Sequence, residues 1–181
     1  CEATQFEDMA TLIYTSGTTG RPKGVVITHE QITSEITEAF PYVGAGPDDV
    51  SLSFLPYAHV LGRIESWGHI YIGYQLAFAE SIDRVRNNLA EIRPTFLMSV
   101  PRIFEKIFAG INSQLGNNPA KRALFKWAVQ VGKKAGEYKL NREPIPLPLF
   151  AQLQVANKLV LSKIKEAFGG RLRFAVSGGA P

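Results

Sequence analysis

Apolar and polar positions follow two different periods along the chain, and together they predict a mixture of strands and helices. Short apolar runs at 11–14, 25–27, 50–55, 75–79, 95–100 and 171–176 are typical of strands. Most of the intervening segments place apolar side chains three and four residues apart, which is the period of an amphipathic helix. Strands that alternate with helices predict an α/β fold, with a largely parallel sheet and helices packed on its faces.

Local signals indicate where several helices begin. Thr28, with Gln31 three residues later, has the pattern of a capping box. Ser81 is a plausible N-cap of a helix that Pro94 stops, and Pro101 suits the first turn of the helix that follows. A further helix is predicted over 59–71.

The stretch 110–168 shows no strand pattern. Apolar residues at 120, 124, 127 and 131 predict one amphipathic helix, and those at 155, 159 and 164 predict part of another. Prolines at 144, 146 and 148 predict an extended connector between the two helices. We therefore expect residues 110–168 to form a helical excursion within one domain that spans 1–181.

Composition narrows the class of protein. The chain is 45% hydrophobic, which is enough for one sizeable core, and it has no apolar run of the ~20 residues that a membrane span needs. Its single cysteine, Cys1, rules out an internal disulfide and fits a reducing compartment. These features favour a cytoplasmic globular protein.

Charge is mildly positive overall, at +4, but it is concentrated in one segment. The basic residues there are Lys121, Arg122, Lys126, Lys133, Lys134, Lys139 and Arg142. Two interpretations stay open: a solvated helix face, or a surface for anionic lipid head groups or an acidic partner, peripheral to a membrane. No groove pattern of aromatic and basic residues accompanies the segment, so nucleic-acid binding is not expected.

The loop 15–24 carries the strongest chemical signal. Its glycines let the backbone approach an anion, its hydroxyls donate hydrogen bonds, and Lys23 supplies a positive charge. The spacing differs from that of a Walker A loop, and the plainer alternative is a polar hairpin turn. The residues expected to bind phosphate are Thr15, Ser16, Gly17, Thr18, Thr19, Gly20 and Lys23.

The segment from Tyr14 to Val25 resembles the signature loop of the adenylate-forming superfamily of acyl-CoA synthetases, luciferases and peptide-synthetase adenylation domains. The segment 53–60, Ser-Phe-Leu-Pro-Tyr-Ala-His-Val, resembles the histidine motif of that family, and 99–102 and 177–181 resemble two further landmarks. The overall pattern is most similar to long-chain fatty acyl-CoA synthetases. The resemblance implies part of an acetyl-CoA synthetase-like N-terminal domain.

The resemblance also implies a two-step reaction. A fatty acid carboxylate attacks the α-phosphate of ATP, and the thiol of coenzyme A then displaces AMP from the acyl-adenylate. Mg²⁺ is expected to bridge phosphate oxygens, with Thr19 as a ligand. His59 is expected near the reacting carboxylate as the catalytic residue. The residues expected to lie against the adenine are Gly178, Gly179 and Ala180.

By the same resemblance, the chain is expected to be a partial AMP-binding domain. The acidic metal ligand, the ribose-binding aspartate and the C-terminal domain with its adenylation lysine would lie beyond Pro181, so the chain alone is expected to be inactive and to self-associate through an uncovered apolar face. Gly62 departs from the family, which often carries a bulky or acidic residue there. Two other functions remain open for the protein: an enzyme for another carboxylic acid or a carrier-protein thiol, and a non-catalytic nucleotide-binding module. For His59, a purely structural role remains open.

Overall fold

The computed structural model describes residues 3–15, 21–113 and 115–178. The strands in these ranges are β1 (Met9–Thr15), β2 (Lys23–Thr28), β3 (Val50–Ser53), β4 (Gln75–Phe78), β5 (Phe96–Ser99) and β6 (Phe174–Ser177). The helices are α1 (His29–Val43), α2 (Val60–Ile72), α3 (Val85–Ile92), α4 (Pro101–Ser113), α5 (Pro119–Leu140), α6 (Leu147–Ala156) and α7 (Ser162–Ala167). A 3₁₀ turn (Ile82–Arg84) precedes α3, and a π-helical turn (Asn157–Leu161) joins α6 to α7.

Four of the strands form one parallel sheet in the order β4-β3-β5-β6. The chain runs from β3 to β4 on one side and then crosses back to place β5 on the other side of β3. The direction of winding therefore reverses between β3 and β5, which is where open α/β sheets form a crevice at their carboxyl ends. This arrangement confirms the predicted α/β fold with a largely parallel sheet.

Each face of the sheet has its own apolar core because side chains alternate along a strand. On one face, α1 and α2 pack over a cluster of Phe40, Leu61, Tyr74, Phe96 and Met98. On the opposite face, α3 packs over a cluster of Leu52, Val85, Leu89 and Leu97. Helices thus cover both faces of the sheet.

Strands β1 and β2 form a separate antiparallel hairpin. Thr28, the last residue of β2, caps α1: its side chain accepts from the Gln31 N–H, and the Gln31 side chain accepts from the Thr28 N–H. The predicted capping box is therefore confirmed. Tyr14 and Val26 of the hairpin are more than half exposed, so the described residues leave part of its apolar surface uncovered.

The described part of 110–168 contains helices and turns without a strand. A third apolar cluster, Ala128, Val131 and Ala156, joins α5 to α6. Several predicted strand boundaries are wrong by one to three residues. β3 ends at Ser53 rather than at 55, and β6 begins at Phe174 rather than at 171, because the paired registers span only these residues.

A polar network fastens the opposite, amino edge of the sheet. Thr95 donates to Asp49 Oδ1 at 2.6 Å and accepts from the Val50 N–H at 2.9 Å. Arg173 forms an ion pair with Asp49 Oδ2 at 2.6 Å. Asp49 and Thr95 are both buried, so this network stabilises the sheet at the edge away from the predicted ligands.

Candidate functional site

The hairpin places the two ends of the glycine-rich loop opposite each other. Thr15 and Lys23 are paired across β1 and β2, and the Thr15 hydroxyl lies 3.5 Å from the Lys23 carbonyl oxygen, which accepts its hydrogen bond. Both residues are exposed, and Lys23 has no ion-pair partner within the described ranges. Its amine is therefore available to an anion at the loop.

The middle of that loop lies outside the described residues. This applies to Ser16, Gly17, Thr18, Thr19 and Gly20, including the predicted magnesium ligand Thr19. Gly179 and Ala180 also lie outside the described ranges. The roles of these residues stay predictions.

His59 caps the amino end of α2 and follows a turn that begins at Pro56. The His59 N–H donates to the Pro56 carbonyl at 2.8 Å, and His59 Nδ1 accepts from the Leu61 N–H at 3.2 Å. With Nδ1 as an acceptor, the neutral ring carries its proton on Nε2. The half-buried imidazole therefore presents an Nε2–H donor.

Gly178 lies at the same edge of the sheet as His59. It follows β6, and its N–H donates to the Ser99 carbonyl at the end of β5, at 3.2 Å. A Cβ on Gly178 would lie 3.3 Å from Leu61 Cδ1, so this glycine packs against the first turn of α2. The structure thus brings together the histidine motif at 53–60 and Gly178 of the segment 177–181, which are far apart in sequence.

Gly62 explains how α2 approaches the loop before it. A Cβ at this position would lie 3.0 Å from the carbonyl oxygens of both Leu55 and Pro56. The helix backbone therefore packs directly on the backbone of the His59 loop. A larger residue here would require the loop to move outward by a few tenths of an ångström.

A groove of about 860 Å³ runs between the hairpin and α2. Its apolar walls are Val25, Val26 and Ile27 of β2 and Val60, Ile64 and Trp67 of α2. Val25 lies two residues after Lys23, and Val60 directly follows His59. The groove therefore extends from the end of the glycine-rich loop to the start of α2. Its third wall, on α1, carries Glu30, Glu35 and Glu38. This acidic wall disfavours phosphate inside the groove.

Glu65 is a buried acid that the sequence analysis missed. It lies in α2 with 0% of its surface exposed, and the Ser51 hydroxyl donates to its Oε1. Burial raises the pKa of the Glu65 carboxyl above its ordinary value of 4.5, while hydrogen bonds from Ser51 and Ser53 offset part of that rise. A signal was present, since Glu65 falls in the same helical stripe as buried Leu61 and Gly68.

Within the described ranges, no group of three or more His, Cys, Asp or Glu side chains is placed to bind a metal ion. None of the helices in those ranges combines the length and the hydropathy that crossing a bilayer requires.

Comparison with known proteins identifies the family. A family model described as "AMP-binding enzyme" matches residues 2–181. The chain is 37% identical to fatty acyl-CoA synthetase A of Dictyostelium discoideum, over 97% of this chain and 25% of the relative. It is 39% identical to the long-chain-fatty-acid–CoA ligase FadD15 of Mycobacterium tuberculosis, over 99% of this chain and 30% of the relative.

A solved structure shares the fold over the same span. The A-PCP didomain of the carboxylic acid reductase from Segniliparus rugosus, in complex with AMP, aligns with a TM-score of 0.62 and 26% identity. The alignment covers 99% of this chain and 22% of that structure. The chain thus spans between a fifth and a third of the proteins it matches, and it belongs to the AMP-binding enzyme family.

Proposed function

We propose that the protein containing this chain is an ATP-dependent fatty acyl-CoA synthetase, an acid–thiol ligase. The observation that carries the proposal is the hairpin that sets Thr15 opposite Lys23 at the base of the glycine-rich loop. The names of the relatives that match this whole chain, fatty acyl-CoA synthetase A and FadD15, support the fatty acid as substrate.

In the first step, an oxygen of the fatty acid carboxylate attacks the α-phosphorus of ATP, and pyrophosphate leaves with the electron pair of the broken bond. Two anions have to meet, so charge must be neutralised. Lys23 is proposed to neutralise the β- and γ-phosphates, with hydroxyl donors from Thr15 and from the loop residues 16–20. Gly178, with Gly179 and Ala180, is proposed to lie against the adenine.

His59 is proposed as the catalytic residue beside the reacting carboxylate. Its Nε2–H can donate a hydrogen bond to a substrate oxygen, while Nδ1 is held by the Leu61 N–H. This arrangement orients the imidazole before the substrate binds, which is what preorganised stabilisation requires.

Magnesium, when bound to the phosphate oxygens of ATP, would supply further charge neutralisation. The described residues do not by themselves form a metal site, so no step is assigned to the ion. Thr19 remains the proposed ligand from this chain.

In the second step, the thiol sulfur of coenzyme A attacks the acyl carbonyl carbon, the acyl–phosphate bond breaks, and AMP leaves. A second candidate acceptor is a carrier-protein thiol. The specific observation in its favour is that adenylation domains of carboxylic acid reductases align over 97% and 99% of this chain, including the helical excursion.

The experiment that tests the proposal measures both half-reactions of the full-length protein. ATP–pyrophosphate exchange is measured with carboxylic acids of graded chain length. Thioester formation is then measured with coenzyme A and, separately, with a carrier protein bearing a phosphopantetheine thiol. Exchange that depends on a long-chain acid, followed by transfer to coenzyme A, supports the synthetase. Transfer to the carrier protein alone favours the second candidate, and no exchange with any acid contradicts both.

The surface of α5 is proposed to meet an anionic membrane. The seven basic residues of 119–142 are all exposed. Leu140 at the end of α5 and Leu147 at the start of α6 are 84% and 82% exposed. Basic side chains near an anionic surface contribute about 1 kcal/mol each. Sedimentation with phosphatidylserine vesicles should be weakened by charge reversal at Lys133 and Lys134, and less by reversal at Lys106 in α4. Equal vesicle binding by all variants would contradict the proposal that the α5 surface binds an anionic membrane.

The remaining proposals concern the chain as a whole. Residues 1–181 would form part of the N-terminal domain of a cytoplasmic enzyme, with 110–168 as a helical excursion. The 181-residue chain by itself is proposed to be inactive and to self-associate. The exposed apolar side chains of the hairpin, such as Tyr14 and Val26, support the self-association.

A further inference from the structure

The α2 helix is fastened to the sheet by polar contacts inside an apolar core. The Glu65 side chain accepts from Ser51 of β3, and Ser53 lies near enough to hydrogen-bond the same carboxyl group. On the main chain, the carbonyl of Glu65 accepts from the Tyr74 hydroxyl. All four residues are buried. Burying a polar group costs desolvation free energy, which a hydrogen bond offsets only in part. Polar side chains at these core positions therefore require a reason other than apolar packing.

The environment of Glu65 favours a neutral carboxyl group. The hydroxyls of Ser51 and Ser53 face it from β3, and the phenol of Tyr74 faces the helix from the segment before β4. Glu65 Oε2 has no hydrogen-bond partner among the described residues, and neither ion pair resolved in those ranges involves Glu65. A neutral carboxyl group accepts the hydrogen bond from Ser51 without the cost of an isolated buried charge.

These contacts determine the position of α2 along β3. Apolar packing is non-directional, so the apolar contacts of Leu61 specify the position of α2 less sharply than a hydrogen bond does. A hydrogen bond is sensitive to distance and angle. Fixing register is the best-attested use of a buried polar group.

The same contacts close the segment that presents His59. Ser53 is the last residue of β3 and precedes His59 by six residues, while Glu65 follows His59 by six residues, or about 9 Å of helix. Gly62 packs on the carbonyls of Leu55 and Pro56. The loop between β3 and α2, which ends at His59, is therefore fixed at both ends by the contact between Ser53 and Glu65. Its middle is fixed by the packing of Gly62.

We propose that Glu65 is a positioning residue, which holds α2 in register with β3 and thereby fixes the imidazole of His59 at the carboxyl edge of the sheet. The part of this inference that concerns catalysis rests on the proposed function. The part that concerns the orientation of His59 does not.

The test uses the full-length protein and separates positioning from stability. Glu65→Gln keeps the shape and both hydrogen-bonding capacities. The double variant Glu65→Met with Ser51→Ala removes the main contact from both sides, so that this contact leaves no buried donor unpaired. Thr95→Val is the matched control, because it removes an equally buried hydrogen bond at the amino edge of the same sheet.

The first readout is independent of activity. Nitrogen-15 NMR of labelled histidine, with the His59 signal identified by its loss in His59→Asn, reports whether the Nε2–H tautomer is held. We expect this signature in wild type, Glu65→Gln and Thr95→Val, and its loss in the Met/Ala double variant. An unchanged signature in a folded double variant overturns the proposal. If the double variant does not fold, Ser51→Ala alone replaces it, with a smaller change of the same signature expected and an unchanged one again overturning the proposal.

The second readout is turnover in ATP–pyrophosphate exchange. For the double variant we expect at least a ten-fold loss of kcat at a melting temperature within a few degrees of wild type. Glu65→Gln should have a kcat near that of wild type. Thr95→Val should lose no more activity than its loss of folded protein explains. Activity that follows melting temperature across all variants overturns the positioning role. Absence of exchange in wild type itself contradicts the proposed function and leaves the NMR readout to decide the orientation of His59.

Discussion

Adding one methyl group at Gly68 tests how α1 packs on α2. The ring of Phe40 lies directly against the α2 backbone at Gly68, where a Cβ would be 1.9 Å from Phe40 Cζ and 2.3 Å from Cε2. Carbon atoms in contact are separated by about 3.5–4.0 Å. Gly68→Ala therefore requires the ring to retreat by roughly 1.5–2 Å, by the difference between those distances.

The ring has little room for such a movement. Phe40 is 2% exposed and stacks on Tyr74 at a centroid distance of 6.0 Å. Overpacking a tight core costs about 1–3 kcal/mol, and an overlap this deep belongs at the upper end. Alanine regains about 1 kcal/mol over glycine in a helix. We expect a net loss of about 2 kcal/mol in the free energy of unfolding.

Urea denaturation of the full-length protein measures this loss. Gly136→Ala in α5 is the matched control, since nothing lies within 4 Å of its added Cβ, and it should gain about 0.5–1 kcal/mol. Combining Gly68→Ala with Phe40→Leu should recover part of the loss, because the smaller side chain vacates the overlapped space. If Gly68→Ala is as neutral as Gly136→Ala, the described packing of α1 on α2 is wrong.

Three further predictions concern the site. Lys23→Ala should slow ATP–pyrophosphate exchange about ten- to a hundred-fold, as expected for about 1.5–3 kcal/mol from a hydrogen bond to a charged group, and should affect thioester formation from added acyl-adenylate less. Equal losses in both half-reactions would refute the phosphate role. His59→Asn should lower turnover with little change in melting temperature, because asparagine also caps helices, and a collapse in melting temperature would indicate a structural role. Glu65 binds its proton more tightly in the folded than in the unfolded state, so its contribution to the free energy of unfolding should fall as pH rises from 4.5 toward its raised pKa. Urea titrations across that range should show a shallower decline for Glu65→Gln, and parallel curves would contradict the buried neutral acid.

The fold was largely predictable because its local signals agree with its tertiary packing. The capping box at Thr28 begins α1 as expected, and the turn at Pro56 places His59 at the start of α2. The strand ends were less predictable, since they depend on pairing with neighbours rather than on apolar runs. Phe54 continues the apolar run of β3 but leaves the sheet, where the paired register ends at Ser53.

The site was predictable only where residues carry a motif. The helical stripe that Glu65 shares with Leu61 and Gly68 indicates a buried position, but its polar partners become evident only once Ser51 and Tyr74 are packed around it. Gly62, which has no side chain, lets the helix backbone rest on the loop before it. No local sequence pattern predicts this close approach of the two backbone segments, because it depends on how they pack in the folded protein.

The central claim, that this chain carries the phosphate-binding part of a fatty acid adenylation site, is tested most directly by one measurement. The full-length protein is assayed for incorporation of radiolabelled pyrophosphate into ATP, with and without a long-chain fatty acid, as wild type and as Lys23→Ala beside the control Lys106→Ala. We expect exchange that requires the fatty acid, is retained by Lys106→Ala and falls at least ten-fold in Lys23→Ala. Exchange that does not depend on the fatty acid, or that is equal in the two lysine variants, would contradict the claim.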